Sequence, residues 1–65
     1  MSTRAQLSSI TSSLAEIQHR VSELAEEARA LGDDETASEL FNVERSLIAA
    51  LRRLGRLMSS STHRS

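Results

Sequence analysis

Cysteine is absent from this chain, and so is proline. Without a thiol there is no disulfide, no thiolate zinc site and no cysteine nucleophile. A reducing compartment is compatible with that composition. Only two glycines occur, Gly32 and Gly55. So few breakers argue against a β-sandwich or a loop-rich fold. Phe41 is the single aromatic residue, which leaves no aromatic platform on which bases or sugars could stack. Lysine is missing too, so all eight basic residues are arginine. Arg and Ala are favoured by GC-rich genomes, and a GC-rich bacterium is the expected source. No apolar run approaches the roughly 20 residues that a membrane-spanning helix needs. Met1-Ser2-Thr3-Arg4 lacks the continuous apolar stretch of a secretory signal. The expectation is a cytoplasmic protein with no membrane role.

The 65 residues allow one small domain, residues 1–65. With 38% apolar and 26% charged residues the balance is globular or coiled-coil. The first half carries a strict heptad. Leu7, Ile10, Leu14, Ile17, Val21, Leu24, Ala28 and Leu31 alternate at spacings of three and four. With Leu7 as position a, all eight fall on a and d, the pattern of a helix with one apolar seam. Thr3 with Gln6 has capping-box spacing, and Gly32 directly after Leu31 suits a left-handed C-terminal cap. Helix one is therefore expected over about residues 4–31, followed by a turn at 32–34.

Asp33, Asp34 and Glu35 come next. One aspartate should cap helix two, and the acids suit the positive end of its dipole. Leu40, Val43, Leu47, Ala50, Leu54 and Leu57 continue the three–four spacing. Phe41, Ile48, Leu51 and Met58 lie beside that stripe, so helix two is apolar over a wider arc than helix one. It should run from about residue 34 to 59, with a frayed tail over 60–65. Two long helices joined by so short a turn must fold back as an antiparallel hairpin. A hairpin alone leaves much apolar surface wet, and chains this short seldom stand without staples. The fold class expected is all-α: a helical hairpin that dimerises into a four-helix bundle.

The expected interface seam comprises Leu7, Ile10, Leu14, Ile17, Val21 and Leu24 from helix one. Helix two contributes Leu40, Phe41, Val43, Leu47, Ile48, Leu51, Leu54 and Met58. Leu47, central in its stripe, is expected to be fully buried. Charge bears on how two hairpins would stack. The acids Glu23, Glu26 and Glu27 lie near the turn, whereas Arg52, Arg53 and Arg56 lie near the open end. Turns at opposite ends bring unlike charges together, although exposed pairs contribute only about 0–1 kcal/mol each.

Three constellations carry possible chemistry. Glu16 and His19 have the Glu-x-x-His spacing of carboxylate-bridged metal bundles. Both fall outside the seam, on positions c and f, so the expected reading is a solvated surface pair and no metal or cofactor. Glu44 sits at the rim of an apolar arc and should pair with Arg20 or with an arginine of a second chain, fixing register. Arg45, Arg52, Arg53 and Arg56 form a partial stripe on helix two, the candidate partner-binding face. Such a stripe could hold phosphates. Rop-type bundles, which bind RNA loops in plasmid copy-number control, are similar in architecture, with no residue-level match. With no lysine, no cysteine and two histidines, no catalytic triad can be assembled. The function expected is non-catalytic. It is a small intracellular adaptor or regulator that binds itself and another protein, the alternative being a Rop-like nucleic-acid binder using the arginine stripe.

Overall fold

Ser2 starts the first helix. Its hydroxyl accepts from the Ala5 N–H at 3.2 Å and its carbonyl accepts from the Gln6 N–H at 3.1 Å. The cap thus falls one residue earlier than the Thr3–Gln6 spacing predicts. In the computed structural model, which describes the backbone of residues 2–63 and the side chains of residues 2–59, two helices follow. They are α1 (Thr3–Ala30) and α2 (Asp34–His63). α2 continues past residue 59, where the sequence reading ends it. No glycine or proline follows Gly55, and serine lowers helix propensity by only about 0.5 kcal/mol per residue. Residues 64 and 65 of the expected tail lie outside the described residues.

The reversal between the helices is built almost entirely from main chain. Gly32 adopts φ +82°, the left-handed conformation that an L side chain resists. Its N–H donates to the Arg29 carbonyl at 3.0 Å, and the Asp33 N–H donates to the Ala28 carbonyl at 2.9 Å. This pair of bonds is a Schellman motif, which satisfies carbonyls that the helix end would otherwise leave orphaned. Asp33 then opens α2. Its carboxylate accepts from the Thr36 N–H at 3.2 Å and its carbonyl from the Ala37 N–H at 3.0 Å. Closing one helix and starting the next with the same residue is what lets the chain reverse within Leu31–Asp33.

The two helices pack against each other along their length as an antiparallel hairpin. The residues between them are small near the turn, where Ala25, Ala28 and Ala37 are buried. Farther out, Leu7, Leu14, Val21, Leu40, Leu47, Leu51, Leu54 and Met58 are half-buried. Among the described residues no large side chain is fully buried. Leu47 is half-buried rather than enclosed, because the hairpin covers it from one side only. The molecule measures 50 × 18 × 11 Å with a radius of gyration of 15.0 Å. A compact chain of this length has a radius of about 11 Å. The 11 Å dimension is one helix diameter, so the hairpin is a single layer where stable domains have at least two.

Candidate interaction surface

The contacts between α1 and α2 divide the heptad positions in a way the spacing alone does not fix. On a helix with 3.6 residues per turn, d lies about 60° to one side of a, and e about 40° to the other. α1 turns a and e towards α2. Leu7, Leu14, Val21 and Ala28 are joined there by Thr11, Gln18 and Ala25. α2 answers with the same letters, Leu40, Leu47 and Leu54 together with Ala37, Glu44, Leu51 and Met58, and adds Phe41 and Ile48. The Thr11 hydroxyl donates to the Leu7 carbonyl at 2.7 Å and lies 3.5 Å from Met58 Sδ, which ties the open end of the seam together.

The d positions are left out, except that the small Ala50 is half-buried. Ile10, Ile17, Leu24, Val43 and Leu57 remain between 45% and 54% exposed, and Leu31 at the turn is 78% exposed. Two right-handed helices running antiparallel and meeting through the same positions are related by a local two-fold axis perpendicular to the hairpin plane. Their d positions therefore turn to one common side. The antiparallel register brings them level as three rungs, Ile10 with Leu57, Ile17 with Ala50 and Leu24 with Val43. Successive rungs are seven residues, about 10 Å, apart. The result is a ladder of aliphatic side chains on one face of a one-layer hairpin. Of the residues expected in the seam, Ile10, Ile17, Leu24 and Val43 lie on this outer ladder, and the others face the partner helix.

Surface area expresses how open the one-layer hairpin is. The chain exposes 5088 Å², whereas a compact monomer of 7.1 kDa exposes about 4,100 Å². The excess of roughly 1,000 Å² compares with the roughly 800 Å² that each partner contributes to a standard protein–protein interface.

The polar candidates fall elsewhere. Glu44 accepts a hydrogen bond from Gln18 Nε2 at 2.9 Å. Its partner within the hairpin is thus an amide on the opposite helix, not the expected Arg20. The reason is placement: Gln18 shares the e side that faces α2, whereas Arg20 is exposed on position g. His19 Nε2 lies 3.3 Å from Glu23 Oε2, one turn along the same exposed face, so its neighbour is Glu23 and not Glu16. Among the described residues no three His, Cys, Asp or Glu side chains converge as a metal site would require. No helix there is long and apolar enough to cross a membrane. Arg45, Arg52, Arg53 and Arg56 are all exposed, and none of them forms an ion pair among the described residues. Together they span an arc of about 100° on the outer side of α2, with Arg53 the nearest of them to the ladder. Arg45 and Arg52 point away from the ladder on position f, Arg56 lies beside them on c, and Arg53 on g flanks the ladder's outer edge. At the turn end, Arg29, Asp34, Ala37, Ser38, Phe41, Asn42 and Arg45 line a shallow depression on the face opposite the ladder. Arg29 is already held there by Glu26 at 2.9 Å.

No protein-family model, curated protein or solved structure matches the chain at a significant level. Function must be argued from these surfaces alone. The contribution of Gln18 and Ala25 to the seam is what sequence reasoning missed. The available signal was the wide arc of α2, whose e positions include Ala37, Leu51 and Met58 and therefore need cover from the facing helix.

Proposed function

We propose that this chain is a small, non-catalytic, cytoplasmic interaction protein, an adaptor or regulator, that works as a homodimeric four-helix bundle. The observation that carries the reading is the aliphatic ladder on a hairpin one helix thick. Ile10, Ile17 and Leu24 stand beside Val43 and Leu57, each about half exposed, on one side of the layer. Scattered exposed apolar residues are ordinary, but a contiguous apolar face marks an association site. A second copy supplies a face of the same length and chemistry, and stacking the two gives the two-layer core that a domain requires. Once the ladders are covered, the surface left to other proteins is mostly charged and polar, and those charges set partner choice.

Sedimentation equilibrium over about 1–100 µM tests the assembly. The expected result is a mass of twice 7.1 kDa at the upper concentrations. A cooperatively folded monomer throughout would remove the reading.

A second reading rests on the exposed guanidinium groups of Arg52, Arg53 and Arg56 towards the end of α2. Cations there suit the negative helix end, and they could also meet phosphates. The exposed carboxylate of Glu39 on the same arc of α2, and a formal net charge of −1, make this the lesser proposal. Salt-dependent mobility shift of RNA or DNA at micromolar protein decides it. Retention of nucleic acid that weakens steeply with salt would favour a Rop-like role.

A further inference from the structure

We infer that the second copy docks with its turn at the opposite end of the rod. α1 then lies on the partner's α1 and α2 on the partner's α2, about a two-fold axis through the rung of Ile17 and Ala50. This deepens the dimer reading above and rests on it. A two-fold dimer that stacks ladder on ladder has two simple forms. If the axis runs along the bundle, both turns lie at one end and α1 covers the partner's α2. If the axis crosses the bundle, the turns lie at opposite ends and each helix covers its own copy.

The distribution of charge separates the two forms. The half of the rod nearer the turn, residues 20–45, carries eight carboxylates against three arginines. Among the described side chains of the other half, Arg4, Arg52, Arg53 and Arg56 stand against Glu16 alone. The hairpin is therefore an electric dipole 50 Å long. Stacking two such rods with turns together doubles the negative charge at one end and the positive charge at the other. Reversing one rod sets each acidic half on a basic half.

The flanks of the ladder agree. With turns together, Glu27 on the edge of α1 comes level with Glu39 of the partner subunit, twice in the dimer. Each is an exposed carboxylate, and like charges across a helix interface disfavour it. With turns opposed, Glu16 comes within a turn of Arg20 of the partner subunit, again twice. The ladder itself accepts the reversal. Three evenly spaced rungs turned end for end about the middle one put Ile10 on the partner's Leu24 and Leu57 on the partner's Val43. No rung is left uncovered.

The lack of cysteine makes the test direct, since an introduced thiol is the only one in the chain. Ile17→Cys and Ala50→Cys are each oxidised alone and as an equal mixture, with Ser12→Cys, on the outward face, as the control for random collision. Opposed turns bring each position next to its own copy, within disulfide reach. Both single variants then form covalent dimers alone while Ser12→Cys does not. Turns together predict that only the mixture cross-links. Because Ile17→Cys alters the ladder, a second measurement leaves it intact. A spin label on Glu35→Cys, exposed in the first turn of α2, is expected to give an interlabel distance of about 45 Å from the helical rise. A distance under about 20 Å, or cross-linking confined to the mixture or absent in a protein that sediments as a dimer, overturns the inference. A protein that sediments as a monomer instead overturns the dimer reading beneath it.

Discussion

Leu24→Gln probes the outer ladder while leaving the hairpin seam alone. Leucine and glutamine have nearly equal helix propensity, so α1 itself is unaffected. Leu24 is 53% exposed in the hairpin. A fully buried leucine contributes about 1.5–3 kcal/mol relative to an exposed one. About half of that, roughly 1 kcal/mol, is still available to a covering partner. Each dimer contains two copies, so the substitution should weaken association by about 2 kcal/mol, or about 30-fold in the dissociation constant. Sedimentation equilibrium of parent and variant in the same buffer measures that ratio. Urea unfolding at several protein concentrations gives an independent reading, because the midpoint of a dimer rises with concentration and that of a monomer does not. An unchanged dissociation constant, or a midpoint independent of concentration in the parent, would refute the assignment of the ladder to a self-interface.

Other substitutions test the remaining features. Leu47→Asp puts a carboxylate in the seam, where Leu47 is half-buried. It should lower stability by at least about 2 kcal/mol, seen as loss of far-ultraviolet helical dichroism or a large drop in the urea midpoint. Asp33→Ala removes the acceptor for the Thr36 N–H and should cost about 1 kcal/mol. Asp33→Asn, which keeps an acceptor oxygen, should recover most of it; equal losses in both variants would contradict the capping role. His19→Ala affects an exposed side chain paired only with Glu23, and thermal unfolding should place its effect within about 0.5 kcal/mol. A larger loss would mean that the outer face of α1 has a structural partner.

Much of the fold is legible in the residue order because the signals are local. The uninterrupted heptad from Leu7 to Leu31, the glycine after it and the acids after that define two helices and a reversal. Only the finer choices differ, with Ser2 rather than Thr3 as the first cap and α2 running on to His63. The rotation of the helices about their own axes is less legible. A heptad records that a and d are apolar, but it does not say which stripe meets the sister helix. α2 is apolar on a, b, d and e, so α1 could settle at several angles along that arc. It settles towards e, where Ala25 can sit close to α2 and Gln18 can reach Glu44. Gln18 escapes notice in the sequence because it is polar. Its placement follows from the facing helix, information that no window on α1 contains.

One reversal at Gly32 also returns the chain to its starting end, so residues 2 and 63 stand together at the end of the rod away from the turn. A group attached at residue 2 or at residue 63 leaves from that same end, beside the arginines of α2. The acidic tip, at the other end of the 50 Å rod, stays clear of it. A surface or a fluorophore can therefore be tethered at either residue without crowding the turn, and the choice between them changes the handle but not the geometry.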